Sequence, residues 1–222
     1  MKKPDEINLP KKEWQETLAR AREAVGESPG SHGWDHVRRV FDLCLLLGRK
    51  EKADLTVLAL AALLHDIGRK EESASKGGVC HAQIGARKAV EILGGLNIPE
   101  AIREKVRDCI RSHRFRGSHL PATLEARILF DADKLDSIGA VGLGRAFLFA
   151  GEVGARLHNY HKDLSRTVSY SWEDTAYREF QVKLRRVRER MLTPAGRTLA
   201  EGRHRFMERF FARLEAEIKG LK

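Results

Sequence analysis

The sequence predicts an all-α fold, a single helical bundle over residues 1–222. Three observations predict it. Apolar residues recur at three- and four-residue spacing along most of the chain, the alternation expected of strands is nearly absent, and the breaks between periodic segments carry helix punctuation. The first segment, 13–25, is followed by 34–47, 54–67, 81–93, 99–112, 121–130 and 193–218, each with an apolar stripe. Asp54 suits an N-cap, Pro99, Pro121 and Pro194 suit first turns, and Gly48, Gly68 and Gly94 suit helix ends. On the last segment Phe206, Phe210, Leu214 and Ile218 form one stripe, read as core packing. Three polar stretches resist a helical reading and are expected as loops: "RKEESASKGGV" after Asp66, "RFRGSHL" after His113, and residues 154–171. Their cations, hydroxyls and histidines suit segments that meet a phosphate.

Composition narrows the class. A hydrophobic content of 42% can fill a real core. The longest mostly apolar stretch, 55–64, is about half of the ~20 residues a membrane span needs, and no early apolar run resembles a secretory signal. A cytoplasmic protein with no membrane partner is therefore expected. Cys44, Cys80 and Cys109 are odd in number and form no Cys-x-x-Cys pair, which argues against a disulfide framework or thiolate zinc site. They read as core or loop residues.

Charge points to an anionic partner, because 41 Lys and Arg stand against 31 Asp and Glu, a net +10. About half of the excess lies beyond Glu173, much of it in "KLRRVRER". Acidic residues interleave there without an aromatic stacking pattern, so a solvated helix face is the first reading and nucleic acid is disfavoured.

The stretch "LAALLHDIG" carries His65 and Asp66 at the end of the most apolar segment and closes with a glycine. By itself the pair has a plain reading, an Asp orienting a buried His. Other chemistry-bearing residues also sit near helix ends. His32 and His36 fall four apart at the start of one helix, His81 opens another, His113 closes a third, and Asp131, Asp133 and Asp136 cluster where "DADKLDSIG" begins. A bundle can gather such termini at one end. Imidazoles and carboxylates without sulfur suit a divalent ion such as Mn, Fe, Co, Ni or Mg better than a structural zinc.

"HGWDHVRRV", "LAALLHDIGR", "CHAQIGA", "IRSH" and "LFDADKLDSIGAVG", in that order, resemble the HD-domain metal-dependent phosphohydrolases. "TPAGRTLAEGRHRFM" extends the likeness toward a subgroup of small stand-alone HD hydrolases. The resemblance implies a helical bundle of the HD-domain type, with a metal-site core at about 30–145 and C-terminal helices at about 173–219 packing on it. Carried over by motif, the metal ligands are His36, His65, Asp66 and Asp133, with Asp131 and Asp136 as competitors for the last position.

His81 and His113 fall where dinuclear members of the superfamily carry extra ligands, so three roles stay open for them: a second metal, a phosphate oxygen, or a proton. Arg69, Arg114, Arg116 and Lys134 are cations close to the motifs; Arg69 and Arg114 are expected to contact the substrate, and Lys134 is the best-placed phosphate clamp. His32 suits a cap as well as a substrate contact, and His158 and His161 read as solvated loop residues.

The activity implied is hydrolysis of a phosphate or pyrophosphate ester by metal-bound water, on a small phosphorylated substrate such as a nucleotide. Asp66 would orient the nucleophile and Lys134 neutralise transition-state charge. The chain departs from one family pattern. Some nucleotidase members place a general acid or base Glu three residues after the Asp of the pair, and here Arg69 stands there. Glu71 and Glu72 follow within the expected loop, leaving the general acid unassigned. A dinuclear iron oxygenase and a non-catalytic nucleotide sensor are the alternatives.

Overall fold

In the computed structural model the described residues are 1–26, 33–75, 77–114, 120–160 and 163–221, and among them no strand occurs. His32, Arg116 and His161 lie outside them. The helices are α1 (Lys11–Val25), α2 (Trp34–Glu51), α3 (Leu55–Leu64), α4 (Arg69–Ala74), α5 (His81–Gly94), α6 (Glu100–Ser112), α7 (Leu124–Leu135), α8 (Gly139–Glu152), α9 (Ala176–Val182) and α10 (Pro194–Ile218). The chain forms two compact units, Met1–Asp133 and Lys134–Lys222.

The first unit is built around α3. Every α3 residue from Thr56 to Leu64 is buried, so this helix is apolar on all sides and must be enclosed. It packs against α1, α2, α5 and α6. Fully burying Leu58, Leu60, Leu63 and Leu64 stabilises the unit by roughly 1.5–3 kcal/mol per side chain before entropy is counted. Asp54 starts the helix as expected, its Oδ1 accepting from the Thr56 and Val57 amides at 3.0 and 3.1 Å. The helix ends three residues before the expected Ile67, because the chain turns at His65 and Asp66.

Several other expectations are corrected. Gly48 lies inside α2, where a Cβ would come within 2.6 Å of Leu58 Cδ1 and 2.7 Å of Leu55 Cδ2, so its role is close packing of α2 on α3. The stretch after Asp66 is not all loop, since "RKEESA" forms α4. Helix α7 starts at Leu124, later than the expected 121, and runs on past Asp131 and Asp133 to end just before Asp136. Cys44 and Cys109 are buried and Cys80 is half-buried, all three as free thiols.

In the second unit, α8 was not anticipated, its four glycines having masked a helical stripe. The segment 183–190, expected as helix, is a 3-10 helix from Leu184 to Arg190 with Arg185, Arg186 and Arg190 exposed. On α10 the buried face is Gly196, Ala200, His204, Met207 and Phe211. Phe206, assigned to the core by its spacing, is 40% exposed. Phe211 instead fills the core, stacking on Phe180 with centroids 4.8 Å apart. The irregular stretch before α9 is held by the nearly buried Arg178, which donates to Asp174 Oδ1 at 2.7 Å, Thr167 Oγ1 at 2.6 Å and Ser169 Oγ at 3.2 Å. His158 within it is half-buried rather than solvated.

Candidate metal centre

Four helix ends of the first unit deliver the histidines. His36 stands in the first turn of α2, His65 caps α3, His81 opens α5, and His113 caps α6. All four are buried, as is Asp66. The apolar body of α3 explains how polar groups reach this depth, since its packing fixes the turn that carries His65 and Asp66.

Two clusters result. In the first, His36 Nε2 lies 3.2 Å from His65 Nε2, 3.5 Å from Asp66 Oδ2 and 3.4 Å from Asp133 Oδ1. In the second, His81 Nε2 lies 3.1 Å from His113 Nε2, and the two stand 3.6 and 3.8 Å from Asp66 Oδ1. His36, His65 and Asp66 form one triad able to hold an ion, and Asp66, His81 and His113 form another. Asp66 belongs to both, offering one oxygen to each.

Hydrogen bonding at the far side of each ring determines what the near side can do. His65 Nδ1 lies 2.8 Å from the Ala62 carbonyl, and His113 Nδ1 lies 2.6 Å from the Ile110 carbonyl. A carbonyl only accepts, so both Nδ1 atoms carry the proton and both Nε2 atoms are bare lone pairs. His81 Nδ1 likewise faces the Glu72 carboxylate at 2.8 Å. His81 and His113 therefore oppose two lone pairs at 3.1 Å with no proton to share. Burial holds His65 and His81 below the usual histidine range and pushes His113 down to about 3, so added protonation does not relieve the repulsion at neutral pH. A divalent cation does. Adjacent donors on an ion with bonds of about 2.1 Å lie about 3.0 Å apart, near the separations observed.

Asp133 is the aspartate of its cluster that meets His36. Asp136 is instead bound to Arg145 at 2.7 Å, and Asp131 is fully buried on α7. Arg69, read from sequence as a substrate contact, donates from Nε to Asp66 Oδ2 at 2.6 Å. Arg114, read the same way, is bonded to Glu72 Oε1. Lys134 follows Asp133 on α7 and is half-buried. Glu72 is the residue that sequence reasoning passed over. The absence of Gly and Pro from "RKEESA" was the available signal that a helix would form there, placing Glu72 one turn beyond Arg69.

The buried His-Asp pair, with histidines arriving from separate helices, defines the chain's class. Residues 33–138 match the HD domain family. The protein YpgQ of Bacillus subtilis is 36% identical over 199 residues, 88% of each chain. The chain belongs to the HD-domain family. The crystal structure of Bacillus subtilis YpgQ in complex with ADP superposes with a TM-score of 0.72 at 30% identity, covering 95% of this chain and 97% of that one. An HD-superfamily hydrolase from Bacillus thuringiensis gives a TM-score of 0.73 at 25% identity, covering 94% and 97%. No helix among the described residues is long and apolar enough to cross a membrane.

Proposed function

We propose that this chain is a divalent-metal-dependent phosphohydrolase acting on a nucleotide, with phosphate or pyrophosphate as the group released. The observation that carries the reading is Asp66, whose two oxygens face two pairs of histidines. Its substrate class draws support from YpgQ, which was crystallised with ADP. When bound, a divalent ion would lower the pKa of a water nucleophile and withdraw charge from the phosphoryl group.

His36, His65, Asp66 and Asp133 would hold the first ion. Among the three roles open to His81 and His113, a second ion has the best support, because bare Nε2 atoms accept and cannot donate to a phosphate oxygen. Asp66 would also orient the attacking water through its carboxylate. Lys134, Arg69 and Arg114 would neutralise the phosphate oxygens, the two guanidiniums through donors beyond those given to Asp66 and Glu72.

The test incubates the purified chain with nucleoside mono-, di- and triphosphates in the presence of Mn, Co, Ni or Mg, measuring phosphate and pyrophosphate separately. Single-stranded DNA and RNA at equal phosphate concentration serve as the comparison. Metal-dependent turnover of mononucleotides is expected, and no turnover above a chelated control with any ion would end the reading. Two triads around one carboxylate also suit a two-iron oxygenase, which oxygen uptake by iron-loaded protein would reveal.

A further inference from the structure

We propose that Glu72 is a positioning residue that fixes the protonation pattern of His81, so that His81 Nε2 is kept as a bare donor for a second ion. The inference rests on the reading of His81 and His113 as ligands, and goes beyond it by assigning the group that prepares one of them. Glu72 occupies α4, in a stretch that by sequence alone looked like mobile loop.

Its carboxylate is used twice. Oε2 lies 2.8 Å from His81 Nδ1, and Oε1 is bonded to Arg114 Nη1. Arg69 Nη1 stands 3.7 Å from Oε2. A carboxylate accepts only, so the proton between Glu72 and His81 belongs to Nδ1, leaving Nε2 with its lone pair aimed at His113 Nε2 and Asp66 Oδ1. Arg114 Nη1 is also 3.3 Å from His81 Nδ1 and, being itself a donor, cannot take that proton; it binds the other carboxylate oxygen instead.

His65 and His113 obtain the same pattern from the backbone carbonyls of Ala62 and Ile110, each three residues earlier in its own helix. His81 begins its helix and has no preceding turn to supply such a carbonyl. A side chain from another helix must do it, and Glu72 is the acceptor in place.

Arg114 makes the substitution Glu72→Gln informative. The guanidinium requires an acceptor, so it captures the amide oxygen of Gln, and the amide NH2 is left facing His81 Nδ1. That nitrogen must then accept, which moves the ring proton to Nε2 and blocks ligation. The experiment uses the full chain with 15N-labelled histidine, stripped of metal at neutral pH, with the His81 signals assigned by difference against His81→Gln. In the unsubstituted chain the proton is expected on Nδ1; in Glu72→Gln it is expected on Nε2. Manganese titration should show the ion held by His81 and His113 loosened about 10–100-fold and the ion held by His36, His65 and Asp133 unchanged.

Glu72→Asp should keep the proton on Nδ1. The double variant Glu72→Gln with Arg114→Ala frees the amide to turn and should return the proton toward Nδ1. A Glu72→Gln protein that melts normally, keeps the proton on Nδ1 and binds the second ion unchanged would overturn the proposal. Because the nitrogen signals are read without substrate, a chain that shifts them yet hydrolyses no nucleotide would refute the phosphohydrolase reading and leave this one standing.

Discussion

Arg69 Nε lies 2.6 Å from Asp66 Oδ2, the same oxygen that stands 3.5 Å from His36 Nε2 and 3.6 Å from His65 Nε2. One carboxylate oxygen thus serves a permanent cation and a candidate ion site together. Burial pushes the Asp66 carboxyl upward, but its interactions with the surrounding groups, the permanently charged Arg69 among them, outweigh it and hold the group well below the usual carboxylate range. Asp66 is ionised at every working pH, as a ligand must be.

The arrangement predicts how Arg69→Ala behaves. Removing one partner of a buried pair costs about 3–5 kcal/mol, and the partial exposure of Arg69 reduces this to about 1–3 kcal/mol. A divalent ion would replace the lost positive charge beside Asp66. Denaturant unfolding with chelator and with manganese should therefore show a larger metal-induced gain in Arg69→Ala than in the unsubstituted chain.

Asp66 also separates the two clusters experimentally. Asp66→Ala should lose both ions, His65→Ala the ion shared with His36, and His113→Gln only the ion shared with His81. Nucleotide hydrolysis should fall at least about 100-fold in Asp66→Ala. Metal content after exhaustive dialysis, measured with folding verified by circular dichroism, checks the order. Equal stoichiometry in Asp66→Ala and the unsubstituted chain would remove Asp66 as a ligand.

Much of this candidate centre is legible in the sequence because its residues sit at or near helix ends, and helix ends announce themselves. The apolar run before His65 and the N-cap Asp54 located α3, and the order of motifs located His36, His81 and His113. What stayed hidden was set by tertiary packing. Nothing local separates Asp133 from Asp131 and Asp136; the choice is made by which aspartate meets His36 and which meets Arg145. Glu72 is hidden because "RKEESASKGGV" reads as one polar loop, although only its end is broken by glycine. Phe206 was misplaced for a different reason, since α10 presents two neighbouring apolar stripes and periodicity cannot say which one the core takes.

Gly68 ties fold to site. A Cβ there would lie 2.4 Å from the His81 carbonyl oxygen and 2.8 Å from the Gly85 amide nitrogen, both backbone atoms that cannot rotate aside. Gly68→Ala should push the start of α5 away, cost about 1–3 kcal/mol, and weaken the ion held by His81. Gly144, in the interior of α8 with nothing within 4 Å of the added carbon, is the control. Gly144→Ala should stabilise by about 0.5–1 kcal/mol through the lost freedom of the unfolded chain. Thermal melts and metal titrations of the two variants should move in opposite directions and in one variant only, respectively.

Acid should destabilise the metal-free protein over a window set by its buried histidines. Burial, the largest influence on each, lowers His65 and His81 and brings His113 to about 3, whereas a histidine in the unfolded chain titrates near ~6.5. Above about pH 7.5 neither state is protonated and the histidines contribute no pH dependence. Below it the unfolded chain takes up protons that the folded chain refuses, so stability falls as pH falls, by about 1.4 kcal/mol per pH unit for each such histidine. For His113 the loss continues until pH approaches 3. Asp66, whose folded value is depressed, adds its own loss progressively from about pH 5 downward, as unfolded aspartates protonate around ~3.9. Carboxyls held low in the fold, Glu72 and Asp66 among them, add their losses mainly below about pH 5, so between about pH 6 and 5 the slope belongs chiefly to the histidines. Urea unfolding of chelated protein across that interval should give a slope about one proton smaller in His113→Gln, and the same slope in both proteins would show that His113 is protonated in the fold.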